Sequence, residues 1–190
     1  MGAGLVERGA ILIDADEIVR DLQQPGEPVF DAIVGRWGPT VVAADGTLDR
    51  ATVAAVVFKD ADELAALNSI VHPAVGEEMA RRRAHAAEHS PGAVVVLDIP
   101  LLVRPDGEPI AKRYRDLAGI VVVDADPEVA VQRLVAQRGL SDDDARARIA
   151  NQASRESRLE VADFVIDNNG TVEDLEPQID DCYRWARSLA

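Results

Sequence analysis

The sequence predicts an α/β fold in which a parallel β-sheet is flanked by helices. Four short apolar runs each end in aspartate, a pattern typical of strands buried on both faces of a parallel sheet: Ala10–Asp14, Ala93–Asp98, Gly119–Asp124 and Asp163–Asp167. Helical patterns separate these runs, as βαβ units require. The 190 residues, 47% of them apolar, predict one domain with sub-regions rather than two independent domains.

The composition argues against two classes of binding partner, nucleic acids and membranes. The chain has 34 acidic and 20 basic residues, a net charge of −14, which argues against nucleic acid or an anionic membrane as its main partner. The apolar runs are too short to cross a bilayer, and no secretory signal is visible. The single Cys182 excludes an intramolecular disulfide and a four-cysteine metal site. We therefore expect a cytoplasmic protein with neither a nucleic-acid nor a membrane partner.

About eighty residues separate the first two predicted strands, far more than a simple crossover needs. Helical patterns fill this span, near Val29–Trp37, Asp49–Phe58, Ala61–Val71 and Pro73–Ala87. We predict a helical insertion on the sheet that shapes a substrate pocket. Ligands of open α/β sheets bind beyond the carboxyl ends of the strands, where the terminal aspartates of the four runs lie.

Asp14 and Asp16 form the first candidate site. Asp14 closes a predicted strand and Asp16 lies at the turn into the next helix, so a carboxylate would project into the cleft. One carboxylate could orient a magnesium ion or its water while the other accepts a proton from a hydroxyl. A helix cap with a favourable dipole charge explains the same residues. Asp98, at another strand end, could hold magnesium through water.

Six arginines form a local positive excess inside this acidic chain: Arg133, Arg138, Arg146, Arg148, Arg155 and Arg158. Arginine binds phosphate bidentately, and two helices joined at Gly139 would suit a lid over phosphates. A solvated helical face with internal ion pairs accounts for them equally well. His72 by itself is more often structural than catalytic, and the turn at 167–170 could contact an adenine or be a plain turn.

Taken in order, these motifs resemble those of dephospho-coenzyme A kinase. The resemblance covers nearly the whole chain from about Gly4 to the last helix. The residues that carry it are Ile13-Asp14-Ala15-Asp16 with Arg20, Asp45-Gly46-Thr47-Leu48-Asp49-Arg50, Asn68–His72 with Pro73, Asp98-Ile99-Pro100-Leu101-Leu102, Gln152–Leu159, Ala162-Asp163 and Val165–Gly170.

The resemblance implies a P-loop kinase fold, in which a parallel sheet flanked by helices carries a helical substrate-binding insertion and a helical lid. Residues 1–19, 91–131 and 159–190 would form the nucleotide-binding core, 20–90 the dephospho-CoA-binding region and 132–158 the lid. The implied reaction transfers the γ-phosphoryl group of ATP, with Mg²⁺, to the ribose 3′-hydroxyl of dephospho-CoA. This is the last step of coenzyme A biosynthesis.

The same resemblance implies roles for particular residues. Asp16 would be the general base, and the substrate would be bound by Arg20, Arg50 and His72. The ATP phosphates would be bound from the lid side by Arg133, Arg138, Gln152 and Arg155. Asn168 and Asn169 would lie on the adenine side, and Asp14 and Asp98 would hold Mg²⁺ through water.

The sequence departs from the family at its start. The 190 residues contain no Gly-x-x-x-x-Gly-Lys-Ser/Thr loop, and neither Lys59 nor Lys112 follows a glycine. Gly4–Gly9 resembles the helix end after that loop, so the first, central strand would be absent and its neighbours would lose pairing across a gap. We expect a start codon placed too far downstream. As printed, the chain should bind ATP weakly and turn over negligibly.

Two alternative functions stay open at this point. One is a non-catalytic module that binds coenzyme A or a nucleotide, which the missing loop favours. The other is a P-loop kinase that acts on another nucleotide or a small metabolite. A smaller departure from the family is the segment Arg104–Leu117, which is several residues longer than expected.

Overall fold

The computed structural model describes residues 1–103, 114 and 116–189, which group into two compact units. The first unit contains Met1–Leu12 and the described residues from Gly92 onward, and the second is Ile13–Pro91. Most of the segment Arg104–Leu117, including Lys112, lies outside the described residues.

The four predicted strands are confirmed, each beginning within two residues of its expected start. They are β1 (Ile11–Asp14), β2 (Val95–Asp98), β3 (Val121–Asp124) and β4 (Phe164–Asp167). Helices separate and follow them in the described chain: α1 (Gly2–Glu7), α2 (Ala15–Leu22), α3 (Pro28–Trp37), α4 (Arg50–Val57), α5 (Ala61–His89), α6 (Pro127–Arg138), α7 (Asp142–Ala150), α8 (Arg155–Glu160) and α9 (Leu175–Arg187). None of the described helices is long and apolar enough to span a membrane.

The strands pair in two separate couples. β3 and β4 run parallel, with Val121 opposite Phe164 and Asp124 opposite Asp167. β1 and β2 form the other couple, and within the described residues no strand pairing joins the two. The α/β class with parallel strands is therefore confirmed, while the sheet itself is interrupted between β2 and β3.

Burial on both faces, which the sequence predicted for every strand, is wrong for β3 and β4, where Val123 and Val165 are exposed, and most clearly for β2. Its first three residues are only half-buried and Asp98 is exposed. Among the described residues β2 has a strand neighbour on one side only, which leaves its other edge without a covering strand.

The core of the first unit lies between the strands and the helices α1 and α9. Leu5, Ile166, Ile179 and Cys182 are at most 4% exposed. Gly4 allows α1 to approach α9 closely, since a Cβ at that position would lie 2.9 Å from the Ile179 methyl group.

The second unit is entirely helical in its regular structure. Helices α2 to α5 pack around the buried side chains of Val29, Ile33, Val41 and Val71. Within it, the prediction that one helix ends near Val71 and another begins at Pro73 is wrong.

Helix α5 instead runs unbroken for 29 residues with Pro73 in its interior. Proline removes one intrahelical hydrogen bond and normally kinks or ends a helix. Here Ile70 and Val71 before it, and Ala74 and Val75 after it, all pack into the core of the second unit. This packing outweighs the lost hydrogen bond, because most helical stability in proteins comes from tertiary packing.

The predicted pair of lid helices is confirmed as secondary structure. Helix α6 ends at Arg138 and is capped by Gly139, whose φ of +66° is the left-handed conformation that glycine adopts without strain. Helix α7 then begins after Ser141, whose hydroxyl accepts a hydrogen bond from the Asp144 amide at 3.1 Å.

An ion pair between the half-buried Arg155 and the buried Asp124 fastens α8 to β3. Asp124 is only 5% exposed, and Arg155 donates to both of its carboxylate oxygens, with Nη2 2.6 Å from Oδ2. These hydrogen bonds lower the pKa of Asp124 and keep the carboxylate ionised in the core.

Replacing Arg155 with methionine removes the charge and keeps an aliphatic side chain. The Asp124 carboxylate is then buried without its donors, which we expect to lower the free energy of unfolding by about 2 kcal/mol. Urea denaturation followed by circular dichroism measures this loss. Arg146→Met is the matched control, because Arg146 pairs with Glu128 and Asp142 and all three side chains are exposed. Equal losses in the two variants would contradict a special role for the buried pair.

The pair also predicts a dependence of stability on pH. Since Arg155 holds the pKa of Asp124 below its ordinary value of 3.8, the pair stabilises the fold at neutral pH. That contribution disappears as the pH falls through the folded-state pKa. We expect the difference in unfolding free energy between wild type and Arg155→Met to shrink below pH 3.8. A difference that stays constant down to about pH 2 would show that the carboxylate is not the cause.

Candidate functional site

Helix α2 presents the first group of predicted site residues. Asp14 is its N-cap, and Asp14 Oδ1 accepts a hydrogen bond from the Glu17 amide at 3.0 Å. The capping role of Asp14 is therefore confirmed. Asp16 follows in the first helical turn with an exposed carboxylate, and Arg20 lies one turn later on the same side of the helix. Neither side chain forms a hydrogen bond or ion pair within the described part of its unit, so both are available to a ligand.

The packing of α2 holds these two residues in place. Ile18, on the opposite side of the helix, is completely buried. Arg82 of α5 donates to Asp21 at 2.7 Å and to Glu78 at 2.8 Å. Hydrogen bonds from Arg81 and Arg82 lower the pKa of Glu78 to about 2, so this link stays charged at neutral pH. The helix that carries Asp16 and Arg20 is therefore held in place by the burial of Ile18 on its opposite side and by the hydrogen bond from Arg82 to Asp21.

The turn before α4 presents Arg50. Asp45 accepts hydrogen bonds from the amide and hydroxyl of Thr47, which lower its pKa. Asp49 caps α4 by accepting from the amide and hydroxyl of Thr52, and its pKa is lowered for the same reason. Both aspartates are therefore structural, and the first residue of α4, Arg50, is exposed.

A small cleft of about 200 Å³ lies beside Arg50. Gln23 and Gln24, directly after α2, form one wall, and Thr47 and Leu48 form another. The cleft therefore joins the end of the helix that carries Arg20 to the turn that carries Arg50. Gln23 and Gln24 were not singled out from the sequence, although their position just after Arg20 could have indicated them.

His72 lies in the middle of α5 and is exposed. The sequence predicted a new helix beginning at Pro73, directly after His72, and this boundary is wrong because α5 continues through Pro73. Its placement leaves the imidazole accessible from solvent.

The first unit holds the residues predicted for ATP. Arg133 of α6 donates to the carbonyl oxygens of Asn168 at 2.6 Å and Gly170 at 2.7 Å. Asn169 Oδ1 accepts from the Asp126 amide at 2.6 Å. The structure therefore brings Arg133 together with the turn after β4, and both of its terminal guanidinium nitrogens donate to the backbone of that turn.

The remaining predicted lid residues differ in whether their side chains already have protein partners. Arg155 donates to buried Asp124, a partner that sequence reasoning noted only as the end of a strand. Gln152 is half-buried just before α8, whereas Arg138 is exposed at the end of α6 and bonds to no other described side chain of its unit. Arg138 is therefore the predicted lid arginine that is most free to bind a phosphate.

The described residues contain no group of three or more histidine, cysteine, aspartate or glutamate side chains arranged to hold a metal ion. Magnesium in phosphoryl-transfer sites usually takes only one or two protein carboxylates, with phosphate oxygens and waters as its other ligands. Two carboxylates fit that smaller requirement, each considered by itself: Asp98 is exposed at the carboxyl end of β2 in the first unit, and Asp14 of the second unit has one oxygen left over from capping.

Known proteins resemble this chain along most of its length. A family model described as dephospho-CoA kinase matches residues 2–174. A dephospho-CoA kinase from Streptomyces avermitilis is 48% identical over 182 residues, covering 96% of this chain and 83% of the relative. One from Corynebacterium glutamicum is 45% identical over 174 residues, covering 92% of this chain and 84% of the relative.

Solved structures share the fold. A crystal structure of a protein from Thermus thermophilus superposes with a TM-score of 0.74 at 30% identity, covering 96% of this chain and 88% of the other. A dephospho-CoA kinase from Campylobacter jejuni gives a TM-score of 0.67 at 19% identity, covering 98% and 92%. The family model and the two close relatives, together with the α/β fold, show that the chain belongs to the dephospho-CoA kinase family.

Proposed function

We propose that this chain phosphorylates the ribose 3′-hydroxyl of dephospho-CoA from ATP, as the last step of coenzyme A biosynthesis. The observation that carries the proposal is the exposed carboxylate of Asp16, one turn before Arg20 on a helix fixed by the burial of Ile18. An unpaired carboxylate can accept the proton of a hydroxyl as that oxygen attacks phosphorus.

The acceptor side of the site would be built from α2 and α4. Arg20 and Arg50 can bind the anionic groups of dephospho-CoA, and the cleft lined by Gln23, Gln24 and Thr47 offers hydrogen-bonding groups beside Arg50. The exposed imidazole of His72 is the third proposed contact. Together these residues would position the ribose hydroxyl. Such positioning supplies a large part of the rate acceleration in phosphoryl transfer.

On the ATP side, we assign different tasks to the lid arginines. Arg138 is exposed and would bind the phosphates directly. Arg133 donates to the backbone of the turn with Asn168 and would act by holding that turn against the adenine. Arg155 and Gln152 would support the lid, since Arg155 is fastened to Asp124.

Asp98 of the first unit and Asp14 of the second are the carboxylates proposed to hold Mg²⁺ through water, and the ion would offset the negative charge of the ATP phosphates. In this assignment the protein contributes two separate carboxylates, and the capping bond of Asp14 keeps its side chain in place at the start of α2.

The printed residues lack the glycine-rich loop that cradles phosphates in P-loop kinases. A second candidate function is that of a non-catalytic module that binds coenzyme A or a nucleotide. The two candidates differ in what the addition of such a loop would do. A chimera in which a strand and a Gly-x-x-x-x-Gly-Lys-Ser loop precede Met1 therefore provides the test system.

The 190-residue chain should bind dephospho-CoA in calorimetry and release ADP only at background rate. The chimera should release ADP, in the presence of dephospho-CoA, at least about a hundredfold faster, because oriented phosphate donors contribute that much or more to transfer. A second chimera with Ala in place of the loop lysine is the control. If both chimeras stay at background while dephospho-CoA still binds, the binding module is the correct assignment.

Asp16→Asn in the active chimera should lower kcat by about a hundredfold or more and leave the dissociation constant of dephospho-CoA nearly unchanged, since the change removes the base and keeps the shape. Asp31→Asn is the matched control, because Asp31 is also an exposed carboxylate in the first turn of a helix of the same unit. Turnover that survives in Asp16→Asn would exclude Asp16 as the base.

Arg138→Ala should raise the KM for ATP about tenfold and leave the urea midpoint unchanged, because a charge-assisted hydrogen bond to phosphate is lost. Arg148→Ala is the control, an exposed arginine of the neighbouring helix α7.

Arg133→Ala should lower both the affinity for ATP and the urea midpoint, since Arg133 donates hydrogen bonds to the turn after β4 within the fold itself. Identical behaviour of Arg133→Ala and Arg138→Ala would contradict this division of tasks.

A further inference from the structure

The last turns of helix α5 carry two of the three histidines of the chain. His85 and His89 are four residues apart, and both side chains are exposed to solvent. Side chains at positions i and i+4 of a helix lie one above the other on the same face. The two imidazole rings are accordingly stacked, with their centroids 4.0 Å apart and their planes inclined by 28°. Neither residue has a role in the proposed kinase site.

The hydrogen bonding of His89 determines which of its ring nitrogens is free. Nδ1 of His89 lies 2.9 Å from the backbone carbonyl oxygen of His85. A carbonyl oxygen can only accept a hydrogen bond, so Nδ1 carries the proton, and in the neutral imidazole the lone pair is on Nε2. Histidines that bind metal ions almost always donate their other ring N–H to a backbone carbonyl or a carboxylate. His89 already has this arrangement.

The separation of the two rings suits a single metal ion. Nitrogen ligands of Zn²⁺ lie about 2.0–2.1 Å from the ion, so one ion can bridge two imidazole nitrogens that are up to about 4 Å apart. The ring centroids of His85 and His89 are 4.0 Å apart. The backbone of α5 therefore holds the two rings within the range that one ion can bridge.

The charges around the pair favour a cation. His89 is the last residue of α5, and the carboxyl end of a helix attracts positive charge. A carboxylate oxygen of Glu88 lies 4.0 Å from His89 Nδ1. Arg81, one turn before His85, donates two hydrogen bonds to Glu78 at 2.7 Å, and this carboxylate offsets the charge of the arginine.

We propose that His85 and His89 form a binding site for one divalent transition-metal ion. Because the described residues contain no group of three histidine, cysteine or carboxylate ligands, water would complete the coordination of the ion. Imidazole selects copper, nickel and zinc over magnesium, which prefers oxygen ligands, and Cu²⁺ should bind more tightly than Ni²⁺ or Zn²⁺. The proposal is independent of the kinase assignment and of the carboxylates proposed for Mg²⁺.

A bound ion would connect two successive turns at the end of α5. The Ser90 amide donates to the Ala86 carbonyl oxygen at 2.9 Å in the last turn. Helix ends open more readily than helix interiors. An ion held by both His85 and His89 would keep this turn closed, so metal binding should slow hydrogen exchange at the end of the helix.

The test is a calorimetric titration of the 190-residue chain with CuCl₂, without nucleotides and in a buffer that does not bind copper. We expect 1:1 binding that becomes at least about tenfold weaker in His85→Ala and in His89→Ala, since loss of even a group that supports a metal ligand typically costs that much. Mg²⁺ at about 10 mM should not compete. Hydrogen exchange across residues 86–90 should slow at least about threefold when Cu²⁺ is bound.

A variant with altered spacing is the matched control. His85→Ala combined with Ala87→His keeps the number of histidines but places two of them two residues apart, where side chains do not face each other. This variant should bind Cu²⁺ no more tightly than His85→Ala does. Positions 85, 87 and 89 are all exposed, so these changes leave the packing of α5 intact.

Any of four results would overturn the proposal. The first is no binding up to about 1 mM Cu²⁺. The second is equal affinity in wild type, His85→Ala and His89→Ala, which would assign the binding to other groups such as His72 or the α-amino group. The third is wild-type affinity in the variant with altered spacing. The fourth is unchanged hydrogen exchange across residues 86–90 at saturating Cu²⁺.

Discussion

The parallel hydrogen bonding of β3 and β4 is the constraint on which the first unit depends. The register places Asp124 beside Asp167, so the two chain segments that follow the strands leave from the same edge. Arg155 donates hydrogen bonds to Asp124, and Arg133 donates hydrogen bonds to the carbonyl oxygens of the turn after Asp167. Two helices of the arginine-rich segment are thus anchored to adjacent strand ends, which gathers most of the proposed ATP-binding residues at one place.

The arginines of this segment divide into those that hold the fold and those that remain for a ligand. Arg133, Arg146 and Arg155 have protein partners, whereas Arg138 and Arg148 are exposed and form no hydrogen bond or ion pair with the described residues. The sixth arginine, Arg158, is half-buried, and its Nε has no hydrogen-bond partner among the described residues. A positive excess in the sequence is therefore an upper limit on the number of phosphate-binding groups. The division follows from the placement of acids and carbonyls, which lie up to 37 residues away in the chain.

Local patterns were sufficient to predict the strands, since each apolar run ending in aspartate is a strand. The helix caps at Asp14 and Ser141 were also readable, because a cap acts only within three residues. Two features of the structure could not be predicted from the local sequence. The continuity of α5 through Pro73 depends on packing from both sides of the proline, and the pairing of Arg155 with Asp124 depends on the β3–β4 register. Both depend on residues distant in sequence.

The interrupted sheet explains a further mismatch between sequence and structure. The apolar residues of β2 suit a strand covered on both sides, yet they are only half-buried. The apolar composition of β2 is therefore typical of a strand in a larger sheet than the one that the described residues form.

The two tryptophans divide between the two units. Trp37 belongs to the helical unit and donates to Glu63 at 2.7 Å, and Trp185 lies on α9 with its ring 5.3 Å from that of Phe164. With only two such residues in the chain, each unit carries a single tryptophan, whose emission can be excited selectively over that of tyrosine. The emission of the two single-tryptophan variants therefore separates the unfolding of the helical unit from that of the sheet-containing unit in one polypeptide.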